Sequence, residues 1–252
     1  MAFRYFIHLA YNGAAYGGWQ VQPNAVTVQE LITKGLGYMA GVHNVVGCGR
    51  TDQGVHASDF YAHFESATRF STAELQILKA KLNRFLPHDI VIYNILAVAD
   101  DAHARFSALS RSYTYVVIKD KDPFLYDRAH FHYGELNVEK MNDCSLILLG
   151  EHDFKCFSKS RTQVNNYNCN IFSAQWTACN HVLTFKITAN RFLRNMVRAI
   201  VGTMLDAGQG KITVEDFREI LASGNRSKAG LSVPAKGLTL TGVTYPANIF
   251  KT

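Results

Sequence analysis

His43-Asn44-Val45-Val46-Gly47-Cys48-Gly49-Arg50-Thr51-Asp52-Gln53-Gly54-Val55-His56-Ala57-Ser58-Asp59-Phe60-Tyr61-Ala62-His63-Phe64-Glu65 is the stretch on which the fold reading turns. Residues 43–48 suit a short strand, and 58–65 alternate with Phe60, Ala62 and Phe64 on one face, the period of a half-covered strand. Between them lies a glycine-bounded loop, Gly49 to Ser58. Upstream, residues 3–10 (FRYFIHLA) are apolar enough for a buried strand that ends at the turn signal Asn12-Gly13. Thr27-x-x-Glu30 is then a capping box, in which hydroxyl and carboxylate satisfy backbone N–H groups left unpaired at a helix start. Val28, Leu31, Ile32 and Leu36 continue it with helical spacing. Downstream, Ser71-x-x-Glu74 opens a second helix, lined by Leu75, Leu78, Leu82 and Phe85 until Pro87 stops it, and a strand covers 90–97. The order is β-α-β-β-α-β, the split-βαβ or ferredoxin-like plan.

The second half repeats the pattern without repeating the sequence. Strand 111–118 precedes a helix over 137–149, strands near 169–178 and 182–189, helices over 191–206 and 213–223, and a last strand 238–244. Segments 119–136 and 150–168 are polar and irregular and read as loops. The fold class is therefore α+β: two ferredoxin-like (RRM-like) βαββαβ half-domains, sheets side by side, joined near Ala99 to Arg105. Their expected extents are 1–100 and 101–252.

Composition narrows the class. Of 252 residues 48% are hydrophobic and 18% charged, which excludes a disordered, collagenous or coiled-coil chain. A net charge of +6 attracts polyanions, leaving RNA, DNA and anionic membranes open. No apolar run reaches the ~18 residues of a membrane span. The N-terminal stretch lacks the apolar core of a signal peptide, so a cytoplasmic protein is expected. Five cysteines with no C-x-x-C argue for reduced thiols over a disulfide framework or zinc site.

The loop 47–56 tempts one toward a phosphate-binding glycine fingerprint, but the G-x-G-x-x-G spacing fails at Asp52 and no helix pattern follows. What remains is Asp52 between glycines, with Arg50 two residues before it and His56 four after. A nearby Arg lowers a carboxylate's pKa. An Asp before Gln-Gly is also an ordinary turn former, so spacing leaves both roles open. In RSYTYVVI (111–118), Arg111, Tyr113, Tyr115 and Val117 share one face, an arrangement that either stacks unpaired bases or simply satisfies β-propensity. The 191–206 helix carries Arg191, Arg194 and Arg198 as a basic stripe opposite an apolar one of Leu193, Val197, Ile200 and Met204. Such a stripe is either a solvated face or a phosphate contact. His130 and His132 alternate on a strand but lack a third ligand at sensible spacing, so they read as structural.

Taken together, these segments resemble a known family. Gly49-Arg50-Thr51-Asp52-x-Gly54-Val55-His56 resembles the signature loop of tRNA pseudouridine synthases of the TruA type. Tyr11-Asn12-Gly13-x-x-Tyr16-x-Gly18-Trp19-Gln20, Thr27-Val28-Gln29, His103-Ala104-Arg105-Phe106-Ser107-Ala108, Arg111-x-Tyr113-x-Tyr115, Phe192-Leu193-x-x-Met196-Val197-Arg198 and Pro234-Ala235-x-Gly237-Leu238 resemble further family segments, in family order. The sequence departs from the family at Cys48 and Gln53, where Ala is usual, and at Asn12, where Asp is.

The resemblance implies that Asp52 is the catalytic residue, that Tyr113 and Arg198 contact substrate, and that Arg50 assists flipping of the target nucleotide. Arg191 and Arg194 are candidates for the RNA backbone. It further implies a homodimer that isomerises uridine at positions 38, 39 and/or 40 in the anticodon arm of tRNA, in an active-site cleft between the two half-domains. No step requires a cofactor or metal, and no membrane partner is implied. Two other readings differ in what they need: a non-catalytic RNA-binding protein of two RRM-like halves has no use for Asp52, and a metal-dependent nuclease needs clustered acids.

Overall fold

The computed structural model describes residues 2–159 and 166–251. The chain divides into two compact units, unit 1 being Met1–Leu109 with Leu240–Thr252, and unit 2 being Ser110–Thr239. Unit 1 begins with β1 (Phe3–Tyr11), α1 (Val28–Ala40), β2 (Val45–Gly47), β3 (His56–Ser66), α2 (Thr72–Phe85) and β4 (Ile90–Ala97). Unit 2 holds β5 (Ser110–Ile118), β6 (His130–Phe131), α3 (Val138–Ile147), β7 (Gly150–Asp153), β8 (Asn168–Cys179), β9 (Val182–Ala189), α4 (Met196–Gly208) and α5 (Val214–Ser223). The chain then runs through β10 (Leu238–Thr244) into the last segment of unit 1. Mixed α+β architecture with five α-helices among the described residues follows from the two periodicities read in the sequence.

In unit 1 the strand order is β4-β1-β3-β10, with β2 added on β3. β1 is antiparallel to both neighbours, placing Ile7 opposite Ala62 and Ile95. Alternation puts Tyr5, Ile7 and Leu9 on the same face as Phe60, Ala62 and Phe64, all buried. Tyr5 stacks on Phe64 at 5.3 Å between ring centroids, and Trp19 on Phe60 at 4.2 Å. The helices contribute Val28, Ile32 and Leu36, and Leu75, Leu78 and Leu82. Each such side chain withdrawn from water is worth about 1.5–3 kcal/mol. Phe85 lies on the same side of α2 as Leu82, both close against Gly35 of α1, but at the end of the helix it stays partly exposed beside the Tyr38 ring. Thr27 Oγ1 caps α1 at Glu30 N–H, and Ser71 with Glu74 forms a complete capping box on α2.

The opposite face of β1 carries Arg4, Phe6 and His8, and the C-terminal segment covers its middle. Tyr245 and Phe250 rings lie 5.2 and 6.2 Å from Phe6. Val243 N–H donates to Asp59 Oδ2 at 2.9 Å, the Tyr245 hydroxyl to Ala104 O at 2.6 Å, and Val98 bridges Phe250. Residues from Leu240 onward thus belong with unit 1, whereas the sequence reading assigned all of 101–252 to the second half. An aromatic side chain from far along the chain is what buries Phe6.

In unit 2 the order is β5-β9-β8-β7, with β6 parallel to β5. Its core includes Tyr115, Val117, Trp176, Phe185 and Ile187 with most of α4, and Trp176 stacks on Phe185 at 5.0 Å. Two segments read as loops contain structure. Segment 119–136 includes β6. Segment 150–168 includes β7 and a turn of 3-10 helix at Lys155–Phe157, with Phe154, Cys156 and Phe157 buried; its residues 160–165 lie outside the described residues. β7 is polar, with His152 opposite Cys169, so backbone pairing at a sheet edge defines it and hydrophobic period does not.

α4 begins at Met196, five residues later than expected. Asn195 adopts φ 66°, a left-handed conformation that cannot continue a helix backward. Arg191 and Arg194 therefore precede α4 and do not share a helical stripe with Arg198. None of the five cysteines is in a disulfide; four are buried, and burial pushes the Cys144 and Cys169 thiols up to about 11 and Cys156 up to about 12. No helix among the described residues is long and apolar enough to cross a membrane.

Candidate functional site

The loop that joins β2 to β3 in unit 1 is held by the end of β1 and the segment that follows it. The Tyr11 hydroxyl lies 2.8 Å from Thr51 Oγ1, both groups buried. Trp19 N–H reaches Thr51 O at 3.4 Å, and Gly54 N–H reaches Tyr16 O at 3.4 Å. Gly13 N–H donates to His56 Nδ1 at 3.0 Å, and Cys48 N–H to Tyr61 O at 2.7 Å. Tyr16 is itself anchored by its hydroxyl to Asp89. Burial first, then this hydrogen bond, raises the phenol pKa far above its ordinary value, so the hydroxyl stays a donor. Asn12 accepts from Ala14 N–H through Oδ1, a role that Asp or Asn fills equally well.

Within the loop, Val55 N–H donates back to Asp52 O at 3.1 Å, and Gly54 has φ 78°. A type II turn needs positive φ at its third residue, which glycine adopts without steric cost. Thr51 and Val55 are buried on either side of the turn, Asp52 is half-buried, and Arg50 is exposed. Gly18, at φ 92°, passes so close beneath that a Cβ would run into the Thr51 carbonyl. The consequence is a carboxylate presented on a short loop with little freedom, together with a guanidinium two residues away. His56, read as part of the loop, is the first residue of β3 and is buried, its Nδ1 spent on Gly13. It serves as scaffold.

In unit 2, β5 presents Tyr113 half-buried, with the Phe192 ring edge-on at 5.1 Å and 89°. Tyr115, two residues on, is fully buried and donates its hydroxyl to Pro234 O at 2.9 Å. Of the aromatic pair read on this strand, then, Tyr115 is core. Arg198, from the first turn of α4, donates Nε–H to Val233 O at 2.8 Å. The 226–234 segment that supplies this carbonyl is strapped by Arg226, which donates to Ala229 O, Gly230 O and Ser232 Oγ. Arg191 is half-buried and Arg194 exposed in the segment before α4.

His130 and His132 lie with ring centroids 6.1 Å apart, and His132 Nε2 is 2.9 Å from Gln209 Nε2. Burial is the main cause holding both below the ordinary histidine range. Among the described residues no three His, Cys, Asp or Glu side chains cluster as metal ligands. Residues that spacing did not single out include Thr51 and Asp89, whose roles arise only through contacts across 40 and 73 positions of sequence. His63 and His103 form a second cluster of this kind: Ala104 N–H donates to buried His63 Nδ1 at 3.1 Å.

Comparison with known proteins places these observations. The family described as tRNA pseudouridine synthase matches residues 146–246. The chain is similar to tRNA pseudouridine synthase A of Parabacteroides distasonis, with 46% identity over 248 residues and 98% of each chain covered. It is similar to tRNA pseudouridine synthase A of Porphyromonas gingivalis, 46% identical over 250 residues, covering 98% of this chain and 99% of the relative. For tRNA pseudouridine synthase A of Bacteroides thetaiotaomicron the identity is 47% over 251 residues, covering 98% and 92%.

Proposed function

The chain belongs to the tRNA pseudouridine synthase A family, and from that premise we propose that it isomerises uridine to pseudouridine at positions 38, 39 and/or 40 of the tRNA anticodon arm, with Asp52 as nucleophile. The observation that carries the residue assignment is the loop itself: a half-buried carboxylate on a turn fixed by buried neighbours and an underlying glycine. Preorganisation of this kind is what lets a catalytic group meet its target without a reorganisation cost.

The chemistry conserves every atom but one exchangeable hydrogen. The bond from N1 to C1′ breaks, the uracil turns while held, a bond from C5 to C1′ forms, the C5 proton leaves to solvent, and N1 gains a proton. Asp52 takes part by attack at C1′ or on the ring, or by removing the C2′ proton. A base inside a stem cannot reach a loop carboxylate, so the uridine is flipped out at a cost of a few kcal/mol. Exposed Arg50, two residues from Asp52, is assigned to hold the flipped nucleotide's backbone. Tyr113 is assigned to stacking on the base, and Arg198, fixed through Nε, to an active-site cation. Arg191 and Arg194 are assigned to phosphate contacts. We read each unit as a ferredoxin-like half, the protein as a cytoplasmic homodimer, and the reaction as independent of cofactor or metal.

The test is release of tritium from C5-labelled uridine in tRNA. Asp52→Asn is expected to lower turnover by on the order of 10⁴-fold or more with an unchanged thermal midpoint. Turnover at the wild-type rate removes Asp52 from the role.

A further inference from the structure

Phe106 is the most conspicuous aromatic of unit 1 that the proposed reaction leaves unused: it is 75% exposed, yet it is held. His103 Nδ1 accepts from both Arg105 N–H, at 3.1 Å, and Phe106 N–H, at 3.3 Å. His103 N–H donates to Ser107 Oγ at 3.0 Å, and Ser107 N–H returns to His103 O at 2.9 Å. The knot is anchored to the sheet by Ala104 N–H on His63 Nδ1, with the two histidine rings 4.6 Å apart. Burial, then the charges of neighbouring groups, holds His63 down at about 4 and His103 below its ordinary value, so both rings remain neutral acceptors near pH 7. The His103 ring lies 4.3 Å from the Phe106 ring, and the Arg105 guanidinium carbon 5.5 Å from its centroid.

An exposed aromatic ordinarily moves freely; here the backbone on both sides of it is tied, and a cation flanks its ring. A fixed ring beside an arginine matches an unpaired nucleobase, whose π-face stacks on the ring while its phosphate meets the cation. We propose that Phe106, with Arg105, is a stacking platform for an unpaired base of the RNA substrate, a subsite that rests on the tRNA-modifying reading above.

Both native tryptophans, Trp19 and Trp176, are 2% exposed, so Phe106→Trp introduces a solvent-exposed indole that acrylamide distinguishes from them. On adding tRNA its emission is expected to be quenched and its acrylamide accessibility to fall; an unquenched, accessible indole at saturating tRNA overturns the proposal. Phe106→Leu is expected to weaken tRNA affinity roughly 5- to 150-fold, with the loss in Kd and KM and not in the rate at saturation, and Phe106→Tyr to restore it. Unchanged affinity in the Leu variant overturns the proposal, as does a change of oligomeric state in place of an affinity loss, which would assign the ring to a second copy of the chain. Wild-type protein that releases no tritium refutes the isomerase reading, whereas active wild-type protein together with an unquenched indole in the Phe106→Trp variant refutes the platform alone.

Discussion

Gly18 shows how much of the candidate site rests on a residue with no chemistry of its own. Its positive φ and its closeness to the Thr51 carbonyl mean that even a methyl group must move either the post-β1 segment or the loop bearing Asp52. Gly18→Ala is therefore expected to cost about 1–3 kcal/mol from overpacking and to lower tritium-release turnover beyond what the lowered thermal midpoint explains. Wild-type turnover and midpoint together would show that the loop does not depend on this contact. Asp52→Asn is expected to do the reverse, removing turnover while leaving stability alone. At this scale the sequence was informative about identity and silent about cause. Asp52 stood out because glycines and Arg50 surround it, but nothing local distinguishes a turn-forming Asp from a reacting one. What no local pattern shows is the support the loop receives from Tyr11, Tyr16, Gly18 and Trp19, which lie 32 to 40 positions before the loop residues they touch.

Among the elements, α4 is the instructive one. Its apolar stripe was legible, since Val197, Ile200 and Met204 are buried as their spacing requires. Its start was not. Asn195 in the left-handed region, with Nδ2 on Ser232 Oγ at 2.6 Å, ends the helical pattern through a partner 37 positions away. The same helix shows how a loop is seated: Gly202 leaves no room for a Cβ beside Leu231 O, and buried Thr203 accepts Gly230 N–H at 2.9 Å while donating to Ala199 O. Thr203→Val keeps the shape and leaves Gly230 N–H without this acceptor, so a loss of about 1–3 kcal/mol is expected in denaturant titration. Because Val233, which takes the Arg198 Nε–H bond, follows in the same segment, turnover is expected to fall as well. A variant as stable as wild type would show that the 230–233 segment is held by other contacts.

Across the whole molecule, the return of the C-terminal segment to unit 1 is the feature with the largest consequence. A chain ending at residue 239 loses the Val243 bond to Asp59, the Tyr245 bond to Ala104 and the rings over Phe6. Unit 1 is then expected to be cleaved rapidly by protease and to bind a dye sensitive to exposed apolar surface; resistance equal to that of the full chain would mean the segment is dispensable. The net charge of +6 acquires its meaning in the same frame only through the family: attraction to a polyanion is non-directional, and tRNA is the polyanion that membership selects. The amino-acid sequence by itself determined the order of the five helices and of the longer strands, the two helix caps at Thr27 and Ser71, the strands at 90–97 and 182–189, and the family, because periodicity, capping and motif identity are properties of residues within a few positions of one another. Only the tertiary structure decided that the chain's last segment belongs with its first, that α4 starts after Asn195, that Tyr115 is core, and that Phe106 is fixed in the open. The first three depend on a hydrogen bond or a buried ring contributed from tens to hundreds of residues away, and the turn at Phe106, tied within itself by His103 and Ser107, is anchored to the sheet by His63 41 positions earlier; such distant pairings leave no local pattern to read.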